Sequence, residues 1–140
     1  MLRASLVATL VATTTISAAD PVPPTVAEVD ALIDQAQNYL LAQAQPNGTF
    51  MKGDKFVLGI SALAAEALAS QPKAVPASDP RIAKAVTFVN GFRQPDGGVY
   101  DPSEGLGNYN TSIALMLWTA TGTGEPAAIT AAQNYIFGLQ

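Results

Sequence analysis

Residues 79–97 read DPRIAKAVTFVNGFRQPDG, and this stretch decides the fold class. Asp79 followed by a proline is typical of a helix start, because the carboxylate caps free backbone amides and proline loses no hydrogen bond in the first turn. Ile82, Ala85 and Val89 then recur at three- and four-residue steps, which places their side chains on one helical face. The closing Gln-Pro-Asp-Gly is a turn signal. The stretch therefore predicts an amphipathic helix that ends at a tight turn.

The same pattern recurs along the chain. A shift of 49 residues aligns 30–48 with 79–97, and a further shift of 47 aligns 82–91 with 129–138. The aligned residues share an aromatic near the helix end and, in the first two copies, a Gln-Pro-Asn/Asp-Gly turn before a more apolar helix. A single helical hairpin cannot bury both of its apolar faces, so we expect these hairpins to stack on one another.

Helical spacing and end signals predict an all-α chain of five helices without a sheet. A Thr25-x-x-Glu28 capping box begins the first helix. A long loop over 99–110 precedes the fourth helix, Gly122 ends it, and the chain stops inside the fifth. The predicted ranges are 26–44, 56–69, 80–92, 111–121 and 126–140.

The N-terminal residues predict export. Arg3 precedes an apolar run over 6–16 and small residues up to Ala19, which is the pattern of a cleaved signal peptide at 1–19. The run is shorter than the ~20 residues that cross a bilayer, so we expect no transmembrane segment after cleavage and a periplasmic or extracellular protein. Residues 20–25 contain DPVPP and predict an extended, proline-rich linker.

Composition excludes several partners and sites. The chain has 7 basic and 11 acidic residues and a formal net charge of −4, and loss of Arg3 with the signal makes it more negative. Without a Lys or Arg cluster, nucleic acid is not an expected partner. The chain has no Cys and no His, so it forms no disulfide, Ser-His pair or Cys-His pair.

The turns resemble the QW repeat of squalene cyclases and protein prenyltransferases. In that repeat an aromatic-Leu pair precedes a Gln and a Gly-x-aromatic turn, as in Tyr39-Leu40 with Gly48-Thr49-Phe50 and in Phe88-Val89 with Gly97 to Tyr100. Ala44 and Arg93 stand at the repeat's Gln position, and Phe50 and Val99 stand at its Trp position. The stretch 94–122, QPDGGVYDPSEGLGNYNTSIALMLWTATG, is similar to exported bacterial proteins of this type.

The resemblance implies an α/α toroid, in which hairpins of about 49 residues form two concentric helical rings around a cavity. It covers residues 26–140, which we interpret as the N-terminal portion of such a domain, truncated at the C-terminus. We therefore expect this chain, made alone, to be catalytically inert and only marginally folded.

The chemistry of that family is missing from this sequence. The cyclases protonate an alkene from an Asp-x-Asp-Asp cluster, and the prenyltransferases hold zinc through Asp, Cys and His. This chain has neither motif, so we predict no catalytic residue, no metal and no cofactor within it. Whether the whole protein is an enzyme is left open.

Some polar and aromatic side chains are ligand-facing candidates. A calcium site or sugar-binding rim is one interpretation of the polar residues in the predicted loop, and ordinary turn and cap residues are the other. The two aromatic candidates, Tyr109 and Trp118, would face a central cavity or belong to the core. The loop residues are Asp96, Asp101, Glu104, Asn108, Tyr109 and Asn110, and the aromatic candidates are Tyr109 and Trp118.

Three functions are compatible with these features. The first is a cyclase- or prenyltransferase-like protein that binds a hydrophobic or polyprenyl ligand. The second is a non-catalytic repeat scaffold for a protein or polysaccharide. The third is an exported polysaccharide-active enzyme on the same ring fold. Fold analogy alone does not decide between them.

Overall fold

The computed structural model describes residues 22–53 and 55–140, so the predicted signal at 1–19 lies outside the described residues. The described chain forms five helices: α1 Val26–Gln43, α2 Val57–Ser70, α3 Pro80–Asn90, α4 Gly107–Thr121 and α5 Pro126–Gly138. Its strand-like pairing is limited to one isolated bridge between Arg93 and Val99. The all-α prediction is confirmed. No helix within these two ranges has both the length and the apolar character needed to cross a bilayer.

The helix ends follow the signals in the sequence. The Glu28 amide donates to Thr25 Oγ1 at 3.3 Å, and the Thr25 amide donates to Glu28 Oε2 at 2.8 Å, which completes the capping box. Asp79 accepts the amide of Arg81 at 2.9 Å, and Gly122 ends α4 in the left-handed conformation. The bounds of α1, α2 and α3 lie within two residues of the prediction.

The predicted start of α4 was wrong. The helix begins at Gly107, four residues early, because the Asn110 amide donates to the Leu106 carbonyl at 2.9 Å. Glycine fits here because a Cβ would collide with the hydroxyl of Tyr135 in α5. The polar residues 108–110 therefore lie in the first turn of α4 instead of in a loop.

The predicted end of α5 was also wrong. The helix ends at Gly138 rather than continuing to Gln140, and the Leu139 amide caps it by donating to the Ile136 carbonyl at 3.2 Å. A shorter hydrogen-bonded turn at a helix end satisfies carbonyls that have no partner further along the helix.

The core lies between α2 and α4. Helix α2 contacts α1, α3 and α4, and α4 also contacts α3 and α5. Small side chains are buried on both helices, among them Ala62, Ala65 and Ala114, and they favour close packing because each adds only a methyl group. Helix α1 has no buried residue and reaches the core through partly buried side chains near its C-terminal end. The larger buried side chains are Leu58, Leu68, Ile82, Val89, Val99, Ile113, Leu117 and Trp118.

Two turns, at 45–49 and 94–98, have the same hydrogen bonds. In each, the amide of the first residue donates to the carbonyl of the fifth at 2.8 Å, and the side chain of the third accepts the amide of the fifth. The next residue donates its amide to a buried hydroxyl, Ser61 of α2 at 3.0 Å or Thr111 of α4 at 2.9 Å. These bonds fix each turn to the helix that follows it in sequence.

Each turn also rests on a later helix. Gly48 and Gly97 both have φ of 92°. A Cβ on Gly48 would collide with the Lys84 carbonyl of α3, and a Cβ on Gly97 would lie 2.6 Å from the Ala131 carbonyl oxygen of α5. Glycine is needed at both positions for its backbone conformation and for this close approach.

Candidate functional site

The N-terminal ends of α2 and α4 lie side by side and are joined by Glu104. Its Oε1 accepts the amide of Phe56, the N-cap of α2, at 2.5 Å. Phe56 has φ of 57°, the one positive value among the described non-glycine residues. A carboxylate at a helix N-terminus is favourable because it faces the positive end of the helix dipole and free amides. Glu104 therefore supplies the cap that Phe56 itself does not provide.

Unpaired buried side-chain atoms concentrate at this end of the fold. Within 22–53 and 55–140 they are Glu104 Oε2 and both polar atoms of the Asn110 amide. Asn110 is 1% exposed and faces the backbone of α2, since a Cβ on Gly59 would lie 2.6 Å from its Oδ1. An unpaired buried polar group costs about 1–3 kcal/mol, so each such group in a folded protein calls for an explanation.

The two unpaired groups are close along α2. Glu104 bonds at Phe56, and Asn110 lies against Gly59 three residues later, a rise of about 4.5 Å along the helix. The ring of Tyr109 also reaches this point, because its Cε1 would lie 3.1 Å from a Cβ on Gly59. One end of the α2/α4 pair thus combines unsatisfied hydrogen-bonding capacity with an aromatic side chain.

A cavity of about 330 Å³ opens beside Glu104. It is lined by Lys55, Phe56, Ser103 and Glu104. The lining combines a carboxylate, an ammonium group, a hydroxyl and an aromatic ring. Such a set both donates and accepts hydrogen bonds next to an apolar face.

Exposed apolar side chains extend from the cavity along both helices. On α2 the steps between them are four and three residues, and on α4 seven, so each set lies on one helical face. Helix α4 contains no charged residue, and α2 contains only Glu66. We call this set the α2/α4 apolar surface; it comprises Phe56, Ile60, Leu63, Tyr109 and Met116, each between 43% and 51% exposed.

Of the other predicted site residues, Asp96 belongs to its own turn. Its Oδ1 accepts the amide of Gly98 at 2.9 Å, and its Oδ2 accepts the hydroxyl of Tyr100 at 2.6 Å. The bond to the carboxylate raises the pKa of Tyr100 to about 12. Tyr100 also stacks on Tyr135, with ring centroids 5.5 Å apart. Asp96 thus stabilises the turn that rests on α5.

Asp101 and Trp118 also lie away from the cavity lining. Asp101 Oδ1 accepts the hydroxyl of Ser103 at 2.7 Å and its amide at 2.8 Å, and these bonds lower the pKa of the Asp101 carboxyl. Trp118 is 2% exposed and donates its indole N–H to Asn90 Oδ1 at 3.0 Å, so it is a core residue. Among the described residues no three acidic side chains converge as a metal site requires.

The sequence singled out Glu104 and Tyr109 as candidates but not two other residues at this end of the fold. Phe56 was placed only at the start of the predicted second helix, and Gly59 was not singled out. A glycine inside a helical pattern is a usable signal, because it permits a close approach that any side chain would block. Here that approach brings Asn110 against α2.

No model of a known protein family, no curated protein and no solved structure matches this chain. The resemblance to the squalene-cyclase and prenyltransferase repeat remains a prediction, so function is argued from the residues of this site.

Proposed function

We propose that this chain is part of an exported α/α-toroid repeat protein of the squalene-cyclase and prenyltransferase type. We also propose that its α2/α4 apolar surface binds a ligand with a long apolar chain, such as a polyprenyl group. The exposed apolar side chains on two almost uncharged helices carry this proposal.

The two equivalent turns support the repeat. Both have the same backbone and side-chain hydrogen bonds, and both place a glycine of φ 92° against the backbone of a later helix. These turns pack against α3 and α5, which are the second and third occurrences of the amphipathic helix. In our proposal this turn-on-helix contact is how successive hairpins of about 49 residues stack, and a ring is one arrangement that such stacking builds.

The character of the surface supports an apolar ligand. A helix face that contacts water normally carries charged side chains, whereas α2 and α4 together carry one, Glu66, and five exposed apolar side chains, a pattern typical of a surface with a function. The surface continues at Ile60 into a groove of about 480 Å³ between α1 and α2, which Tyr39, Leu40 and Phe50 also line and to which Lys52 contributes a charged group. A flexible apolar chain fits the apolar side chains that the surface and the groove share.

No catalytic step is assigned to the residues present. The chain has no His, no Cys and no Asp-x-Asp-Asp motif, so its own side chains supply neither the strong acid of the cyclases nor the zinc ligands of the prenyltransferases. Its role in our proposal is to bind and position the ligand.

Binding of a neutral, fluorophore-tagged farnesyl chain to the full 140-residue protein tests this function. Leu63→Ser removes one apolar side chain from the surface, and we expect about tenfold weaker binding from the lost burial. Leu32→Ser, on an exposed position of α1 outside the surface, is the matched control and leaves the affinity unchanged. Equal affinities of both variants and the parent chain would contradict the proposal.

A further inference from the structure

We propose that an exposed face of α1 binds a Gln-Pro-Asn/Asp-Gly turn from a further hairpin of the same repeat type. We call this face the α1 turn site; it comprises Ala31, Leu32, Gln35 and Tyr39, all of them exposed. The inference rests on the repeat in the proposed function and goes beyond it, because it assigns a protein partner to a helix outside the α2/α4 apolar surface.

The two turns of this type bind their helices at equivalent positions. A Cβ on Gly48 would collide with the backbone carbonyl of Lys84 in α3. A Cβ on Gly97 would lie 2.6 Å from the Ala131 carbonyl oxygen in α5. Lys84 and Ala131 are 47 residues apart, which is the shift that aligns α3 with α5 in sequence. Each turn therefore places its glycine on the carbonyl of the same helix position, where the lack of a Cβ permits the close approach.

An aromatic side chain completes each contact one helical turn later. The Phe88 Cβ would lie 3.1 Å from a Cβ on Gly48. Tyr135 Cε2 would lie 3.0 Å from a Cβ on Gly98, and the Tyr135 ring stacks on Tyr100. A helix that receives such a turn thus presents a backbone carbonyl and, four residues later, an aromatic side chain.

Helix α1 has the same two features without a turn. A shift of 49 residues from Lys84 and Phe88 leads to Gln35 and Tyr39. Phe88 and Tyr135 are partly buried, whereas Tyr39 is 66% exposed. Within 22–53 and 55–140, the two turns of this type lie on α3 and α5, so α1 receives neither of them.

A cavity of about 460 Å³ lies on the same face of α1. Its lining residues within the helix follow one another at three- and four-residue steps that continue to Tyr39, so they share one helical face. The cavity therefore offers room for a turn beside the carbonyl of residue 35, next to a Leu32 side chain that is 61% exposed. The lining residues are Val22, Pro24, Glu28, Ala31, Leu32 and Gln35.

The chain itself indicates the partner. Two of the three occurrences of the amphipathic helix bind a Gln-Pro-Asn/Asp-Gly turn, so the α1 turn site continues an interface that the fold already uses. Units of a repeat protein contact their neighbours through one recurring interface. A second copy of this chain has both of its turns packed on its own α3 and α5. The partner is therefore a turn of a different hairpin.

A backbone-cyclised peptide of residues 92–100, FRQPDGGVY, is the probe. Its ends are already close in the fold, since the Tyr100 amide donates to the Phe92 carbonyl at 3.0 Å. In an NMR titration of the full 140-residue protein, we expect the peptide to shift the amide signals of residues 31–39. The same peptide with Gly97→Ala should bind at least about tenfold more weakly, because its Cβ would meet the carbonyl of residue 35. This control separates the turn contact from general adhesion.

Variants of the chain test the aromatic position. Tyr39→Phe should keep the affinity for the peptide, because Phe88 occupies this position in α3. Tyr39→Ser should weaken binding by about tenfold through loss of the ring, and the exposure of Tyr39 makes a folding defect unexpected. Leu63→Ser, on the α2/α4 apolar surface, is the matched control and leaves the affinity for the peptide unchanged.

Three results would overturn the α1 turn site. They are equal binding of the two peptides, equal binding to the Tyr39→Ser and parent chains, and a dimer of the parent chain that Tyr39→Ser dissociates. The last result would identify a second copy as the occupant. The proposed function is tested separately by farnesyl binding in Leu63→Ser, so either proposal can fail while the other stands.

Discussion

Two neighbouring side chains near the start of α4, Asn110 and Thr111, are buried to the same extent but differ in their hydrogen bonds. Thr111 is fully buried, and its hydroxyl accepts the amide of Val99 at 2.9 Å. Asn110 is 1% exposed, yet both polar atoms of its amide are unpaired. Asn110 is enclosed against α2, where a Cβ on Gly59 would lie 2.6 Å from its Oδ1, so its burial follows from the contact between the two helices.

Substitutions at these two positions measure what the difference in pairing contributes to stability. Thr111→Val keeps the side-chain shape but leaves the Val99 amide buried without an acceptor, so we expect the free energy of unfolding to fall by about 1–3 kcal/mol. Asn110→Ala removes an unpaired amide, which stabilises the fold, and leaves a small void, which destabilises it. Because the two effects offset each other, we expect the free energy of unfolding to change by less than about 1 kcal/mol. Urea unfolding measures both. A loss at Asn110 as large as that at Thr111 would show that Asn110 stabilises the fold.

At the scale of elements, the turns determine how helices are stacked. The turn at 94–98 is fixed to α4 through Thr111 and lies against α5 through Gly97. Its Asp96 carboxylate also binds Tyr100, which stacks on Tyr135 of α5. The connection between α3 and α4 thus positions α5 as well, so a change in the turn should alter the packing of α5.

Two glycines of positive φ test this contact. Gly97→Ala puts a methyl group 2.6 Å from the Ala131 carbonyl oxygen at φ 92°, so the turn and α5 must separate, and we expect a loss of about 3 kcal/mol or more. Gly122→Ala, at φ 65° with no atom within 4 Å, costs only about 1 kcal/mol of backbone strain. Thermal unfolding compares the two variants. Similar melting temperatures would mean that the turn contributes little to the position of α5.

At the scale of the whole molecule, packing is uneven. Helices α2, α3, α4 and α5 all contribute buried residues to the core, whereas α1 has 18 residues and none of them is buried. Its links to the rest include an exposed ion pair between Asp34 and Lys73, and such pairs contribute about 0–1 kcal/mol. The exposed apolar side chains of α1, α2, α4 and α5 add surface that folding leaves in water.

We therefore expect α1 to open before the rest of the molecule. Amides of α1 should show hydrogen-exchange protection at least about tenfold lower than amides of α2 and α4, because local opening exposes little apolar surface there. Thermal unfolding should be correspondingly broad. The length of α1 is not the cause, since α4 is shorter, with 15 residues. Equal protection in α1 and α4 would contradict this expectation and the marginal stability predicted for the chain.

The sequence alone determined the features that depend on neighbours along the chain. The capping box at Thr25, the Asp79 cap, the glycine turns and the apolar spacing of the helices all act over a few residues, so all of them were predictable. The start of α4 was missed because it depends on Gly107, whose small size accommodates Tyr135 of a later helix. The turn propensity of the residues before 111 led to a predicted start of α4 that was too late.

Only the tertiary structure decided which candidate residues lie together. Asp96, Asp101 and Glu104 look alike in sequence, but the first two bond within their own turns while Glu104 reaches α2, 48 residues away. The burial of Asn110 depends in the same way on Gly59 of α2. Hydrogen bonding within a turn follows from local sequence, whereas an unpaired buried group follows from the packing of helices that are distant in the chain.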